Sequence, residues 1–304
     1  MSTPIGDVGT TVAIPARNAS GTIGRCLDAV WALDHRPVRV LVLDDGSSDM
    51  TATIARSRGA EVVAVPNGGG LGRARNLGLS ECRTPFLAFL NADCYPRFDW
   101  LSTLGAVLLS TGAAAVGGRQ VELRRGTWAE RWKALHLRPD LGDQRVIGPD
   151  YLSGGNLLLE MSQAREVPFG DQYRTAYEDV AFCRSLRETG RLLVYDPAAI
   201  VEHDHRETMC TLPRKVWSYG VHSRAVGPVQ SVWQAPRAFV RMHRRPNDHL
   251  RLALPDDVRQ GRIGYVLIDT YLLCASLAFF IGYVRRSRAC ALPNPDTEPS
   301  MAKG

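Results

Sequence analysis

An α/β fold, with a mostly parallel sheet flanked by helices and a helical extension at its C-terminal end, is what this 304-residue sequence predicts. Three observations carry that reading. From Thr11 to Leu90, short apolar runs alternate with segments of helical period, the series that right-handed crossovers fold into a parallel sheet. Two of these runs end abruptly in acids: Val40-Leu41-Val42-Leu43 before Asp44 and Asp45, and Phe86 to Leu90 before Asn91-Ala92-Asp93. In open α/β sheets that carboxyl edge is where ligands bind. A composition of 45% hydrophobic and 22% charged residues suits one large globular domain or a domain with an appendage.

Taken in order, Thr11 to Pro15 reads as the first strand and Ala16 to Ser20 as the loop after it. Ile23, Leu27, Val30 and Trp31 have helical spacing over residues 22–33. A buried strand over 38–43 leads into Asp44-Asp45-Gly46-Ser47-Ser48-Asp49. One acid, Asp49, is explained as a helix N-cap; three acids exceed what a cap needs. A helix over 50–58 stops at Gly59, and 61–65 is a third strand. The glycine-rich stretch Asn67 to Asn76 then enters a helix. It is neither a dinucleotide fingerprint nor a Walker loop. It suits either a tight turn or a phosphate cradle, and Arg73 and Arg75 favour an anion.

Phe86 to Leu90 is the fourth strand, expected beside the first acid cluster. Hard divalent ions share one or two carboxylates with substrate phosphates, so two strand-end acid clusters beside a glycine–arginine loop describe a nucleotide-diphosphate and metal site. A helix over 101–110 and a strand over 113–116 follow. Trp128 and Trp132, four apart, share a helix face and read as packing before a sugar platform. Residues 151–159 return to the sheet. Glu178 and Asp179 open a helix with an apolar face of Val180, Cys183 and Leu186. Acids there favour the helix dipole; two adjacent acids also suit a base with an orienting partner. The last strands, 192–197 and 199–201, run into Glu202-His203-Asp204-His205, where the two histidines are expected to divide between faces.

The net charge of +6 admits nucleic acid, an anionic membrane or a phosphorylated substrate. Nucleic acid is set aside because the arginines concentrate late in the chain beside an apolar run, with no recognisable binding module. Seven scattered cysteines suggest neither a zinc ribbon nor a disulfide framework, and a reducing cytoplasmic compartment is expected. The first residues lack a secretory pattern.

With Asp-Asp-Gly-Ser after a strand, the Gly-rich stretch ending Ala74-Arg75-Asn76, Asn91-Ala92-Asp93, Gly154-Gly155-Asn156, Glu178-Asp179 and the late histidine in this order, the chain resembles the family 2 glycosyltransferases over roughly residues 10–225. The resemblance implies the GT-A fold, a Rossmann-like mostly parallel sheet, and an inverting, metal-dependent hexosyltransferase-type enzyme. Asp45 would hold the nucleoside of a nucleotide-diphosphate sugar, with Pro15, Ala16 and Arg17 lining its pocket and Asp44 as a structural neighbour. Gly72, Arg75, Asn91, Gly155 and Asn156 would meet the substrates. Asp93 and His203 would hold Mg2+ or Mn2+, Asp179 would take the acceptor proton with Glu178 beside it, and Arg214, Lys215 and Trp217 would cover the diphosphate or acceptor. Asn91 departs from the family's acidic first position and contributes no charge. A nucleotide-sugar-binding protein without turnover and a sugar-1-phosphate nucleotidyltransferase are the alternatives.

Residues 226–288 read as a basic amphipathic and hydrophobic helical segment, and 289–304 as a disordered tail. Residues 263–284 are long enough to span a bilayer and precede Arg285-Arg286-Ser287-Arg288. Asp269 opposes a span, costing about 2.5–3.5 kcal/mol on insertion scales. Two readings stand: a membrane-associated helix, spanning or re-entrant at the inner face of the cell membrane, or a buried or dimer-forming helix. A lipid-linked or otherwise membrane-proximal glycan in the cell envelope is the expected hydroxyl acceptor.

Overall fold

In the computed structural model, residues 9–66, 68–138, 140–222 and 254–289 are described. Asn67, the basic and aromatic stretch over 223–253, and the tail from residue 290 lie outside them. The elements in chain order are β1 (Thr10–Ala16), α1 (Ile23–Trp31), β2 (Arg39–Asp44), α2 (Thr51–Ser57), β3 (Glu61–Ala64), α3 (Leu71–Glu81) and β4 (Phe86–Leu90). Then come β5 (Cys94–Pro96), α4 (Trp100–Thr111), β6 (Ala115–Glu122), α5 (Trp128–His136), β7 (Val146–Ile147), β8 (Asn156–Glu160), α6 (Met161–Ala164) and α7 (Glu178–Glu188). β9 (Leu193–His203), α8 (Leu212–His222), α9 (Leu254–Arg259) and α10 (Ile263–Ala289) complete the described chain. These residues form two compact units, one ending at Gly126 and taking in Arg138–Arg206, the other made of Thr127–Leu137 and the chain from Glu207.

The first unit is built on a sheet ordered β3-β2-β1-β4-β8-β6-β9-β5, with β7 pairing β9. β3, β2, β1 and β4 run parallel, as the alternating pattern dictates. Strand alternation sorts their side chains. Val12, Ile14, Val40 and Val42 pack with Ile23, Leu27 and Val30 of α1 and Trp100 and Leu104 of α4. Ala13, Leu41, Leu43 and Phe89 pack on the other face with Ala74 and Leu79 of α3 and Phe182 and Leu186 of α7. Both faces are covered, which is why these strands read as unbroken apolar runs.

One expectation about strand order is corrected. β1, not β4, lies beside β2, because the crossovers build outward from β1 in both directions, so the strand before Asp93 is one strand removed from the first acid cluster. The return strand β8 is antiparallel to both its neighbours, β4 and β6, so the sheet is mixed beyond β4. β9 is a single strand from Leu193 to His203 whose pairing with β6 shifts register between Gly118 and Arg119.

Asn156, expected at the substrate, instead belongs to the framework. Its side chain is fully buried, Oδ1 accepts the Trp100 indole N–H at 2.7 Å, and Nδ2 donates to the carbonyls of Arg119 (2.9 Å) and Ala199 (3.0 Å). Both amide hydrogens are committed.

The second unit has its own apolar cluster: Ala129, Trp132 and Leu137 from α5, Leu212 and Val216 from α8, and Ile268 and Leu272 from α10. Thr127 and Glu130 form a reciprocal capping box that starts α5. Trp132 is packed, as expected, whereas Trp128 on the same helix is 55% exposed. The buried Asp269 accepts the Trp132 indole N–H at 2.7 Å. Asp257, also buried, meets Arg262 at 2.6 Å and His136 at 3.2 Å.

Replacing Asn156 by alanine strands the Trp100 N–H and two carbonyls, each worth about 1–3 kcal/mol when left unsatisfied in the interior. An unfolding free energy lowered by about 3 kcal/mol or more is expected from chemical denaturation. A substrate-contact role would leave stability near wild type.

Candidate active site

The acids at the first strand end do three separate jobs. Asp44 accepts the Ser47 N–H at 3.2 Å and shapes the turn. Asp49 accepts the Thr51 hydroxyl at 2.5 Å and N–H bonds from Ser20 (3.1 Å) and Thr51 (3.0 Å); the Thr51 hydroxyl above all holds its carboxyl well below the usual range. Asp49 thereby ties the loop after β1 to the start of α2, with Met50 rather than Asp49 at the cap position. Asp45 is buried and both its oxygens accept the Gly70 N–H, at 3.1 and 3.2 Å. Its own N–H donates to Ala16 at 2.9 Å, and the exposed Arg17 guanidinium lies 3.7 Å from its carboxylate. Pro15 and Ala16 are buried at the end of β1, where Ala16 pairs with Asp44.

Three backbone donors of the glycine-rich stretch are bonded within the chain. Besides the Gly70 bond to Asp45, the Leu71 and Gly72 N–H groups at the start of α3 donate to the carbonyls of Arg174 (2.9 Å) and Tyr173 (3.2 Å). These three donors are therefore taken by the chain itself. Gly72, expected at the substrate, is also closely packed: a Cβ there would sit 2.3 Å from the Gly170 carbonyl oxygen. Gly70 adopts φ +82°, and its Cβ would lie 2.6 Å from the Arg174 backbone.

Arg75 points inward from α3 rather than to an anion. Its Nη1 donates to Glu178 Oε1 at 2.6 Å and its Nη2 to Asn91 Oδ1 at 3.2 Å; the two charged side chains are 2% and 3% exposed. Gly154 is required beside this pair, because a Cβ there would overlap Arg75 Nη1 at 1.7 Å. At Gly155 a Cβ would come within 2.5 Å of Gln120 and 2.7 Å of Asn91. The Gly-Gly pair thus makes room for Arg75 and Asn91. Glu178, expected beside the reacting groups, is enclosed with its counter-charge.

Asp179, the next residue, is only half-buried. Its Oδ2 accepts the Gly154 N–H at 2.9 Å and its Oδ1 the Val180 N–H at 2.8 Å. The carboxylate is aimed by backbone on both oxygens and still meets solvent.

At the other acid cluster, β5 pairs antiparallel with β9, with Cys94 opposite His203. Asp93 Oδ2 lies 3.4 Å from His203 Nε2 and 3.3 Å from His205 Nδ1. The expectation that the histidines divide between faces is overturned: a separation of two residues is one full strand period, so they share a side, with rings 5.7 Å apart. Burial works to raise the Asp93 carboxyl, but the bonds from His203 and His205 outweigh it and hold it far below its ordinary range. Burial alone would lower His203, yet Asp93 and Glu122 raise it.

Glu122 is the functional neighbour that the sequence did not reveal. The last residue of β6, it is buried opposite His203 in register, and its Oε1 lies 2.8 Å from His203 Nδ1. A carboxylate on one ring nitrogen fixes the imidazole and leaves the other nitrogen for a ligand, the usual outer support of a metal-binding histidine. Asp93, His203 and Cys94 could offer ligand atoms within 4.8 Å of one another. Cys94 is fully buried, burial pushes its thiol well up, and as a soft donor it suits Mg2+ or Mn2+ less than carboxylate oxygen or imidazole does. One carboxylate and two imidazoles, braced by Glu122, remain as a donor set suited to a divalent ion such as Mn2+.

Arg214, Lys215 and Trp217 all lie on α8 in the second unit. Arg214 is exposed, Lys215 pairs with the buried Glu207 at 2.8 Å, and the Trp217 ring lies 6.0 Å from Phe279.

The sequence profile described as Glycosyl transferase family 2 matches residues 11–174. The pre-mycofactocin glycosyltransferase of Mycobacterium tuberculosis is 35% identical over 205 residues, which is 64% of this chain and 43% of that protein. Glycosyltransferase AglE of Haloferax volcanii is 36% identical over 213 residues, 60% of this chain and 69% of that protein. The chain therefore spans less than half the length of the first of these curated relatives. Among solved structures, Staphylococcus aureus TarS 1–349 in complex with UDP-GlcNAc superposes with a TM-score of 0.56 at 14% identity, covering 92% of this chain and 91% of that one. Glucosyl-3-phosphoglycerate synthase from M. tuberculosis, in complex with Mn2+, UDP and glucosyl-3-phosphoglycerate, does so at 0.52 and 19% identity, covering 74% and 79%. At these identities the two structures establish the fold.

The buried pair also sets a pH dependence. Burial pushes the Glu178 carboxyl up to about 7 against the lowering pull of Arg75, and Asp179 adds to the rise. A carboxyl raised above its ordinary 4.5 contributes stability that is present below that value and is lost as pH rises through about 7. Relative to Glu178→Gln, wild-type stability should fall as pH rises from 4.5 to 7, as the proton on Glu178 is lost. Urea unfolding across that range measures it. A constant difference would mean that Arg75 keeps Glu178 ionised throughout.

Proposed function

The chain belongs to glycosyltransferase family 2, and from that premise we propose that it transfers a sugar from a nucleotide-diphosphate sugar to a hydroxyl acceptor, inverting the anomeric centre. The observation that carries the proposal is Asp93 facing two histidines, one of them braced by Glu122. Support comes also from the fold neighbours, whose structures hold UDP with Mn2+ and UDP-GlcNAc.

In this reading Asp93 and His203, with His205 beside them, would hold Mg2+ or Mn2+. The bound ion would supply positive charge where negative charge develops on the departing diphosphate. Asp45 and Arg17, on adjoining strand ends, would receive the nucleoside. The Asp45 side chain is already bonded to Gly70, so it would position that pocket through the loop as well as by contact. Asp179 is the base. It is half-buried, aimed by the Gly154 N–H, and able to accept the acceptor proton at an oxygen as attack develops. Glu178 acts through its neighbour: the ion pair with Arg75 fixes the first turn of α7 and hence the direction of Asp179. Asn91, already bonded to Arg75, would serve the donor as a neutral group.

Two substitutions separate these roles. Asp93→Ala should abolish the Mn2+-dependent part of UDP binding in isothermal titration. Asp179→Asn should retain UDP binding within about twofold and lower transfer or donor hydrolysis at least 100-fold, the scale of general-base contributions, across a panel of nucleotide sugars. Wild-type turnover by Asp179→Asn would remove the base assignment, and UDP binding indifferent to both Mn2+ and Asp93 would remove the metal site.

A further inference from the structure

Among the described residues of the second unit, one helix face is left exposed by the core. Residues Ile263–Ile281 of α10 have a mean hydropathy of 1.8, yet only 28% of that stretch is buried. The buried stripe is Ile268, Leu272, Ser276 and Phe280, each four residues from the next. Ile263 and Leu267 are 74% and 68% exposed, and Tyr271, Leu277 and Ile281 are exposed as well. At 100° per residue, these five fall within about 120° of one another on the side opposite the buried stripe.

The opposite side is fastened along its length. Ile268 and Leu272 share a cluster with α5 and α8, Trp132 donates to Asp269, and Phe280 lies beside Trp217; at the edge of the exposed band the Tyr271 hydroxyl turns back to donate to the Met209 carbonyl at 2.9 Å. A helix that crossed a bilayer in this state would carry Glu130, Arg131 and Lys133 of α5 into hydrocarbon. Stripped of α5, it would present Asp269 to lipid without its partner; both are strongly unfavourable. The helix is apolar enough to enter a membrane, but it is docked in a way that forbids a span.

We propose that the second unit binds an anionic membrane surface with α10 lying in the plane of the interface. Its Ile263–Leu267–Leu277–Ile281 side enters the acyl region while its other side stays in the protein core. Between residues 263 and 284 the only charge is Asp269, and it is buried; the exposed band therefore carries no charge, and its Thr270 and Tyr271 hydroxyls are bonded to backbone carbonyls, unlike the polar rim of a protein interface. Trp128 and Tyr265, with rings 5.8 Å apart, stand at the start of the band, as aromatic residues do at headgroup depth. Gly264 lets them close, since a Cβ there would meet the Trp128 ring at 2.8 Å. In sequence, Arg285, Arg286 and Arg288 follow the band, which matches the sign of an anionic lipid surface.

The full chain is mixed with sedimentable vesicles of phosphatidylcholine alone or with phosphatidylglycerol. Binding to the anionic vesicles, reduced by salt and released by alkaline carbonate, is expected, with at least a tenfold loss of partition for the double variant Leu267→Glu/Leu277→Glu. Both positions are exposed, so the variant should melt like wild type; if it does not, Ile263→Ser serves in its place with a smaller loss expected. Retention through carbonate would overturn the in-plane placement in favour of a span. Wild type that ignores vesicles would overturn membrane binding altogether. Concentration-dependent dimers in sedimentation velocity would then assign the band to a second copy, and a monomer would assign it to another part of the same chain.

Discussion

Arg75 lies on α3 and Glu178 opens α7, 103 residues further along the chain, yet their charges meet at 2.6 Å almost out of contact with water. Removing two such ions from solvent costs several kcal/mol each, and their attraction offsets this only when the geometry is good and other bonds share the load. Here the guanidinium also bonds Asn91, so one side chain links the end of β4 to the start of α7. Much of the candidate site follows from that link. Gly154 has no Cβ because Arg75 occupies the space, its N–H is then free to meet Asp179, and Asp179 is aimed as the residue next to the buried pair. Deleting one partner would leave an uncompensated charge in the interior, a far larger loss than the pair's own net worth.

The parallel half of the sheet was legible in the sequence because β1, β2 and β4 are covered on both faces and so appear as unbroken apolar runs between short helices. The antiparallel β8 was legible as a strand but not in its direction, since pairing sense depends on where the chain returns and not on the composition of Asn156–Glu160. The glycine-rich stretch was only partly legible for a different reason. A sequence shows that glycines permit close backbone approach, but not what approaches, and at Gly70 and Gly72 the neighbour is the chain's own 170–174 loop. Asn156 and Glu178 carried the right chemical groups for a substrate site and spend them on buried partners. Glu122 gave no signal, because one acid at a strand end is ordinary until its register partner is known to be His203. Trp128 and Trp132 share a spacing; only the packing of α10 separates the buried ring from the exposed one.

The strand-end acids differ less in chemistry than in what they are bonded to. Asp44 and Asp49 face backbone N–H groups of their own turns, neutral donors that keep a carboxylate charged and occupied. Asp93 faces two imidazoles, each donating to it through a protonated ring nitrogen, and such a proton can be exchanged for another cation. The same side chain is thus a structural pin at one edge position and an adaptable group at another. Asp179 stands between these cases, fixed by backbone yet half-exposed.

The antiparallel insertion of β8 also bears on how the molecule is made. β8 fills the middle of the sheet, between β4 and β6, and its partner β4 leaves the ribosome roughly 70 residues earlier. Until Asn156–Glu160 arrives, the apolar Phe86–Leu90 is an open edge, a template for pairing with another chain. Closure of so distant a pair is slow by the measure of sequence separation. The nascent chain therefore passes through a period in which its first four strands can be assembled while the β4 edge is still unsealed.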